Sequence, residues 1–163
     1  MILSIEEKLK KGYDTLILFK TKELGYEWFG ESPAHESLSA YGLMQFTEMQ
    51  KVTSFVDSTM ISDLKAWILS RRDGKGLFLK NDKALDSFGR APDDITAAYI
   101  IWTLTSSGET NLNTEINNLK TLADASINEK RVDAYFLGLV AASLYNLGRV
   151  NEARVYADEV VKH

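Results

Sequence analysis

Apolar positions along the chain fall into seven clusters spaced for helices, and no stretch sustains the alternation of a β-strand. Ser4 and Glu7 have the spacing of a capping box, and Ile5, Leu9, Tyr13, Leu16 and Ile17 then mark one face of a helix reaching about Thr21. A second helix is expected from about Pro33 to Ser54, opened by Ser32 and Pro33. Asp57 or Ser58 caps a third. Its stripe of Met60, Ile61, Leu64, Trp67 and Ile68 stops at Arg71 and Arg72, before the turn Asp73, Gly74, Lys75, Gly76. Pro92 stands in the first turn of a fourth helix that reaches Ser107 and ends at Gly108. The fifth covers about Asn113 to Ala125, the sixth Arg131 to Leu147 and the seventh Val150 to Lys162. Residues 78–80 could be extended but are too short to build a sheet on.

Polarity alternates from one segment to the next. The first, third, fifth and seventh are striped, with charges on one side. The fourth carries no charge from Ile95 to Ser107, the sixth only Asp133 between Val132 and Leu147, and the second is nearly as bare from Ser37 to Gln45. A helix that is apolar all round is buried all round. The pattern therefore predicts an all-α fold in which inner helices are wrapped by outer ones, a partial α/α toroid of about seven helices. Small residues on the bare segments, such as Ala40, Gly42, Ala97, Ala98, Gly138, Ala141 and Ala142, are expected to let inner helices approach closely. A solenoid of helix pairs also alternates, but both its layers keep a solvent-facing side.

With 163 residues, 45% of them hydrophobic, the chain is long enough for a single domain with a substantial core. Its formal net charge of −4 argues against a nucleic-acid partner. The basic clusters, Lys8, Lys10 and Lys11 and then Arg71 and Arg72, read as a solvated face and as cations at a helix C-terminus. No run is long enough to span a membrane. The chain has no cysteine, which removes disulfides, thiolate nucleophiles and zinc–thiolate sites together.

Two stretches carry a resemblance. Residues 25–46, GYEWFGESPAHESLSAYGLMQF, run from a polar, aromatic loop straight into a helix of small and apolar residues; residues 85–105, LDSFGRAPDDITAAYIIWTLT, look like the next loop-and-inner-helix unit. Together, in this order and spacing, they resemble the thioester-bearing α/α-toroid domain of the alpha-2-macroglobulin and complement family, in its bacterial-style branch. The resemblance implies an excerpt of a much longer multidomain chain that traps proteases. Its partners would be proteases and the other domains of the parent, in an extracellular, periplasmic or cell-surface setting. The thioester itself requires a Gly-Cys-Gly-Glu-Gln-type motif, which a chain without cysteine lacks. Nor do residues 77–91 contain the histidine that assists acyl transfer in thioester-active members. The resemblance thus implies a non-enzymatic module without cofactor or metal.

Chemistry-bearing residues gather at the loop ends. Trp28, His35, Glu36, Asp86, Arg90 and Asp94 are the candidates for an interaction surface there. His35 either lines a groove or hydrogen-bonds the 25–32 loop and fixes its path; with His163 the only other histidine, a His-rich metal site is excluded. Asp93 and Asp94 suit the start of a helix, where the macrodipole and unpaired N–H groups favour carboxylates. Other α/α toroids cleave polysaccharides with two opposed carboxylates, for which Glu36, Asp86 and Asp94 would be the candidates. The sequence around Asp93 and Asp94 lacks the acidic signatures of terpenoid cyclases, and prenyltransferases need a zinc-binding cysteine. Residues 133–153 look like a tetratricopeptide-type hairpin, giving a helical-repeat binding module as a rival, although the pattern does not recur at the required period. Seven helices leave the row's edges open, so a homodimer joining those edges is a further expectation.

Overall fold

The computed structural model describes residues 2–83 and 91–163. Among these the regular elements are all helices, joined by loops that carry two isolated antiparallel bridges, Lys20 with Tyr26 and Arg72 with Phe78. The helices are α1 (Ile2–Leu16), α2 (Glu36–Val52), α3 (Ser58–Ser70), α4 (Asp93–Ser106), α5 (Asn113–Asn128), α6 (Ala134–Asn146) and α7 (Val150–Val161). None is long and apolar enough to cross a membrane. Two compact units form: residues through Arg71 with those from Lys80, and Arg72–Leu79 with the chain that carries α4 to α7.

In the first unit, α1 begins before Ser4, so Ser4 and Glu7 lie inside the helix and the expected capping box does not form. The α-helix also stops short of Thr21. A 3-10 turn, Ile17–Phe19, follows it, because the chain then folds back: Glu27 N–H donates to the Phe19 carbonyl (3.1 Å) and Thr21 N–H to that of Gly25 (2.8 Å). Aromatic packing joins the elements. Tyr13 of α1 meets Phe46 of α2 edge-on at 5.8 Å, Tyr26 of the loop meets Phe46 at 5.5 Å, and the Tyr26 hydroxyl donates to Met60 Sδ of α3 (3.2 Å). Asp57 caps α3 through its carboxylate and the Thr59 N–H, as expected. Leu43, Leu64 and Ile68 complete this core with at most 1% of their surfaces exposed. Fully burying such a side chain contributes about 2 kcal/mol.

The second unit opens with the expected turn. Asp73 accepts the N–H groups of Lys75 and Leu77, and with that of Gly76 these hold its carboxyl below the ordinary range although burial pushes it up. Helix α4 buries Ala97, Ala98, Ile100, Ile101, Thr103, Leu104 and Thr105, leaves Ile95, Tyr99 and Trp102 partly exposed on its remaining face, and packs chiefly on α6. Helices α5 and α7 bury single stripes, Ile116, Leu119 and Ala123 on one, Ala153 and Tyr156 on the other. Tyr156 donates to Asp124 (2.9 Å), joining α7 to α5. Helix α5 runs past Ala125 to Asn128, and α6 starts later than Arg131 because Asp133 caps it at the Phe136 N–H.

Helices α2 and α6 depart from expectation, since Tyr41 on α2 is 49% exposed and Tyr135 and Tyr145 on α6 are 58% and 66% exposed, so neither helix is covered on every side. Nor do the helix glycines serve close approach. A Cβ at Gly42 would meet only ordinary contacts, and one at Gly138 would meet nothing within 4 Å. The tight approach is in the loop, where a Cβ on Gly25 would stand 2.6 Å from the Ala34 Cβ and 2.9 Å from Ser39 Oγ.

Candidate functional site

The loop between α1 and α2 is pinned from both sides. Tyr26 N–H donates to Ser39 Oγ (2.8 Å) and His35 N–H to the Tyr26 carbonyl (2.8 Å). His35, rather than Pro33, marks the start of α2: its ring Nδ1 accepts the Leu38 N–H at 3.3 Å, and Pro33 stands before the helix. A histidine in extended backbone geometry thus takes the capping role usually filled by Ser, Thr, Asp or Asn.

Glu36, the first residue of α2, is 5% exposed and is held by Arg71 at the end of α3. Arg71 Nε and Nη2 both donate to Glu36 Oε1, at 3.2 and 3.0 Å. Nη2 also donates to Asn81 Oδ1 (3.2 Å), and Asn81 Nδ2 to the Ala34 carbonyl (2.7 Å). In the second unit Arg72 Nε stands 3.4 Å from the buried Glu115 without hydrogen-bonding it, and its Nη2 donates to the Asn111 carbonyl (2.6 Å). The two adjacent arginines are therefore anchors for buried glutamates. Arg71 is also the C-cap residue of α3, so the expected placement of these cations at a helix C-terminus holds.

Of the six residues read as a loop-end surface, Trp28, His35 and Glu36 fall in the first unit. Trp28 is 55% exposed, His35 caps, and Glu36 is ion-paired. Asp94 belongs to the second unit, in the first turn of α4, where its carboxylate accepts the Ile95 N–H (2.9 Å). Asp86 and Arg90 lie outside the described residues. No group of three His, Cys, Asp or Glu side chains suited to a metal ion occurs among the described residues.

A groove that the sequence did not announce lies along α2. Leu16, Phe19, Tyr26, Leu38 and Phe46 form most of its apolar wall, Trp28 and Tyr41 stand half-exposed in it, and its volume is about 270 Å³. Glu27 lines it too and is only 3% exposed. Its Oε2 accepts the Phe29 N–H at 2.7 Å, while Oε1 has no hydrogen-bond partner among the described residues. In sequence, Glu27 sits in the polar, aromatic loop, among Tyr26, Trp28, Phe29 and Glu31. Its burial comes from the fold-back onto Phe19. The aromatics that flank it, Tyr26, Trp28 and Phe29, were the one available signal. Burial also pushes the Tyr26 phenol well up from its ordinary value, with Tyr13 adding to the effect, so it stays a neutral donor.

Compared with known families, the sequence matches the family model described as the A-macroglobulin TED domain over residues 4–157. No curated protein matches it.

Proposed function

The chain belongs to the A-macroglobulin TED-domain family, and we propose that it serves as a non-enzymatic structural and interaction module of an alpha-macroglobulin-like parent that traps proteases. The observation that carries this reading is a family match over residues 4–157 in a chain without cysteine. A thioester needs a thiol, so covalent capture by such a parent would use residues outside these 163. The carboxylates support the same reading. Polysaccharide cleavage needs one protonated and one free carboxyl facing a shared substrate, whereas Glu36 is committed to Arg71 and Asp94 to a helix N-terminus.

In this reading the partners are proteases and the parent's other domains, and the setting is extracellular, periplasmic or cell-surface. Ile5 and Leu9 on α1, at 55% and 37% exposed, and Val155 and Val161 on α7, at 61% and 86%, supply apolar surface for such neighbours or for a second copy. Incubating the chain with a glycan panel, small amines and activated proteases should release no sugar and leave no mass adduct. Sugar release abolished by Asp94→Ala would overturn the proposal in favour of a carbohydrate-active enzyme.

A further inference from the structure

The Glu27 carboxylate is buried in an apolar setting with one oxygen unpaired. Such a group is costly to hold, and in native structures it calls for an explanation. The bond to Phe29 N–H does not explain the charge, because the amide oxygen of a glutamine would accept that N–H equally well. What a glutamate adds is negative charge. That charge is in the wall of a groove whose other lining residues are nearly all apolar, and among the described residues no lysine or arginine lines it.

We propose that the groove receives a basic side chain, flanked by an apolar residue, from a partner polypeptide. The cation would pair with the Glu27 carboxylate while the half-exposed rings of Trp28 and Tyr41 offer their faces to it; aromatic faces attract ammonium and guanidinium groups, most strongly when desolvated. Leu16, Phe19, Leu38 and Phe46 would receive the apolar neighbour. About 270 Å³ suits one or two side chains and not a whole segment. The remainder of the contact falls on surface beside the groove in sequence, where Leu18 is 73% and Phe29 74% exposed. A free amine would leave that surface uncovered, which is why a polypeptide is the occupant. The chain's net charge of −4 favours approach of a basic partner.

The test is a titration of the 163-residue chain with the blocked peptide acetyl-Leu-Arg-Leu-amide. Acetyl-Leu-Gln-Leu-amide and ethylguanidinium serve as comparisons. The readout is the indole N–H resonance of Trp28, assigned through Trp28→Phe. A saturable shift is expected with the arginine peptide, with affinity at least tenfold weaker for the glutamine peptide and for ethylguanidinium. Glu27→Gln keeps the acceptor for Phe29, so it should preserve the melting temperature while weakening the arginine peptide at least tenfold. Absence of a saturable shift, equal affinity for the two peptides, or no effect of Glu27→Gln would overturn the charge recognition. Ethylguanidinium binding as tightly as the peptide would overturn the polypeptide occupant.

Discussion

Replacing Arg71 by methionine should destabilise the first unit by about 3 kcal/mol, because it strips the counter-charge from a glutamate that folding has taken out of water. Removing one partner of a buried ion pair costs about 3–5 kcal/mol, whereas an exposed pair is worth about 1 kcal/mol or less. The Glu36 side chain is 7% exposed, but Arg71 keeps 22% of its surface, so the lower end of the buried range applies. Methionine retains the apolar stem, so the loss reports the guanidinium and not packing. Arg71→Met also removes the bond from Nη2 to Asn81 Oδ1, while Asn81 Nδ2 keeps the Ala34 carbonyl. Glu36→Gln keeps an acceptor for Arg71 and should cost less. The double variant should then be more stable than the two single losses added together, with a coupling of about 1–3 kcal/mol. Urea unfolding followed by tryptophan fluorescence and by far-ultraviolet circular dichroism, with coincident transitions, measures all three. A loss below about 1 kcal/mol for Arg71→Met would refute the buried-anchor account.

Lys130 holds a left-handed backbone, φ 56°, just past α5, the position that glycines fill after α4 (Gly108, φ 83°) and α6 (Gly148, φ 74°). In all three, the next residue's N–H closes the helix end by donating five residues back, as Arg131 does to the Ser126 carbonyl. Lys130→Gly should therefore raise stability by about 1 kcal/mol in thermal melts, the cost of a Cβ in that conformation; an unchanged or lowered melting temperature contradicts this. Gly25→Ala should cost about 1–3 kcal/mol by overpacking against Ala34 and Ser39, and Ala34→Gly in the same chain should restore part of it. Glu152 is held down to about 2 by hydrogen bonds from Arg149 and then Lys120. Its stabilisation is therefore complete above the ordinary carboxylate range and is lost as pH falls towards 2; Glu152→Gln should flatten the acid limb of the stability profile, and an unaltered limb would count against the pairing.

The seven helices were legible because each carries its own periodicity and most carry their own stop: Gly108 and Gly148 ended α4 and α6 where expected, and Asp57 capped α3. The charge-free composition of α4 beyond Asp94 announced that most of its surface is buried, since no charge had to be placed on any face. The site was less legible. His35 as a cap was hidden by Ser32 and Pro33, which match the usual start signal but precede the helix. Arg71 and Arg72 carry no mark of their buried glutamate partners, 35 and 43 positions away in Glu36 and Glu115. Glu27 is buried only because the loop folds back on Phe19, a long-range event that local polarity does not encode. Gly25 resembles any loop glycine until Ala34 is brought against it.

The central claim, that this A-macroglobulin TED domain serves a protease-trapping parent, is tested most directly by incubating the full-length parent with trypsin and following two substrates together. A trapped protease is shielded from large substrates while its active site stays open to small ones. The account predicts that cleavage of a protein substrate such as casein is suppressed while a short chromogenic peptide is still hydrolysed. Equal loss of both activities, or no loss of either, would contradict it.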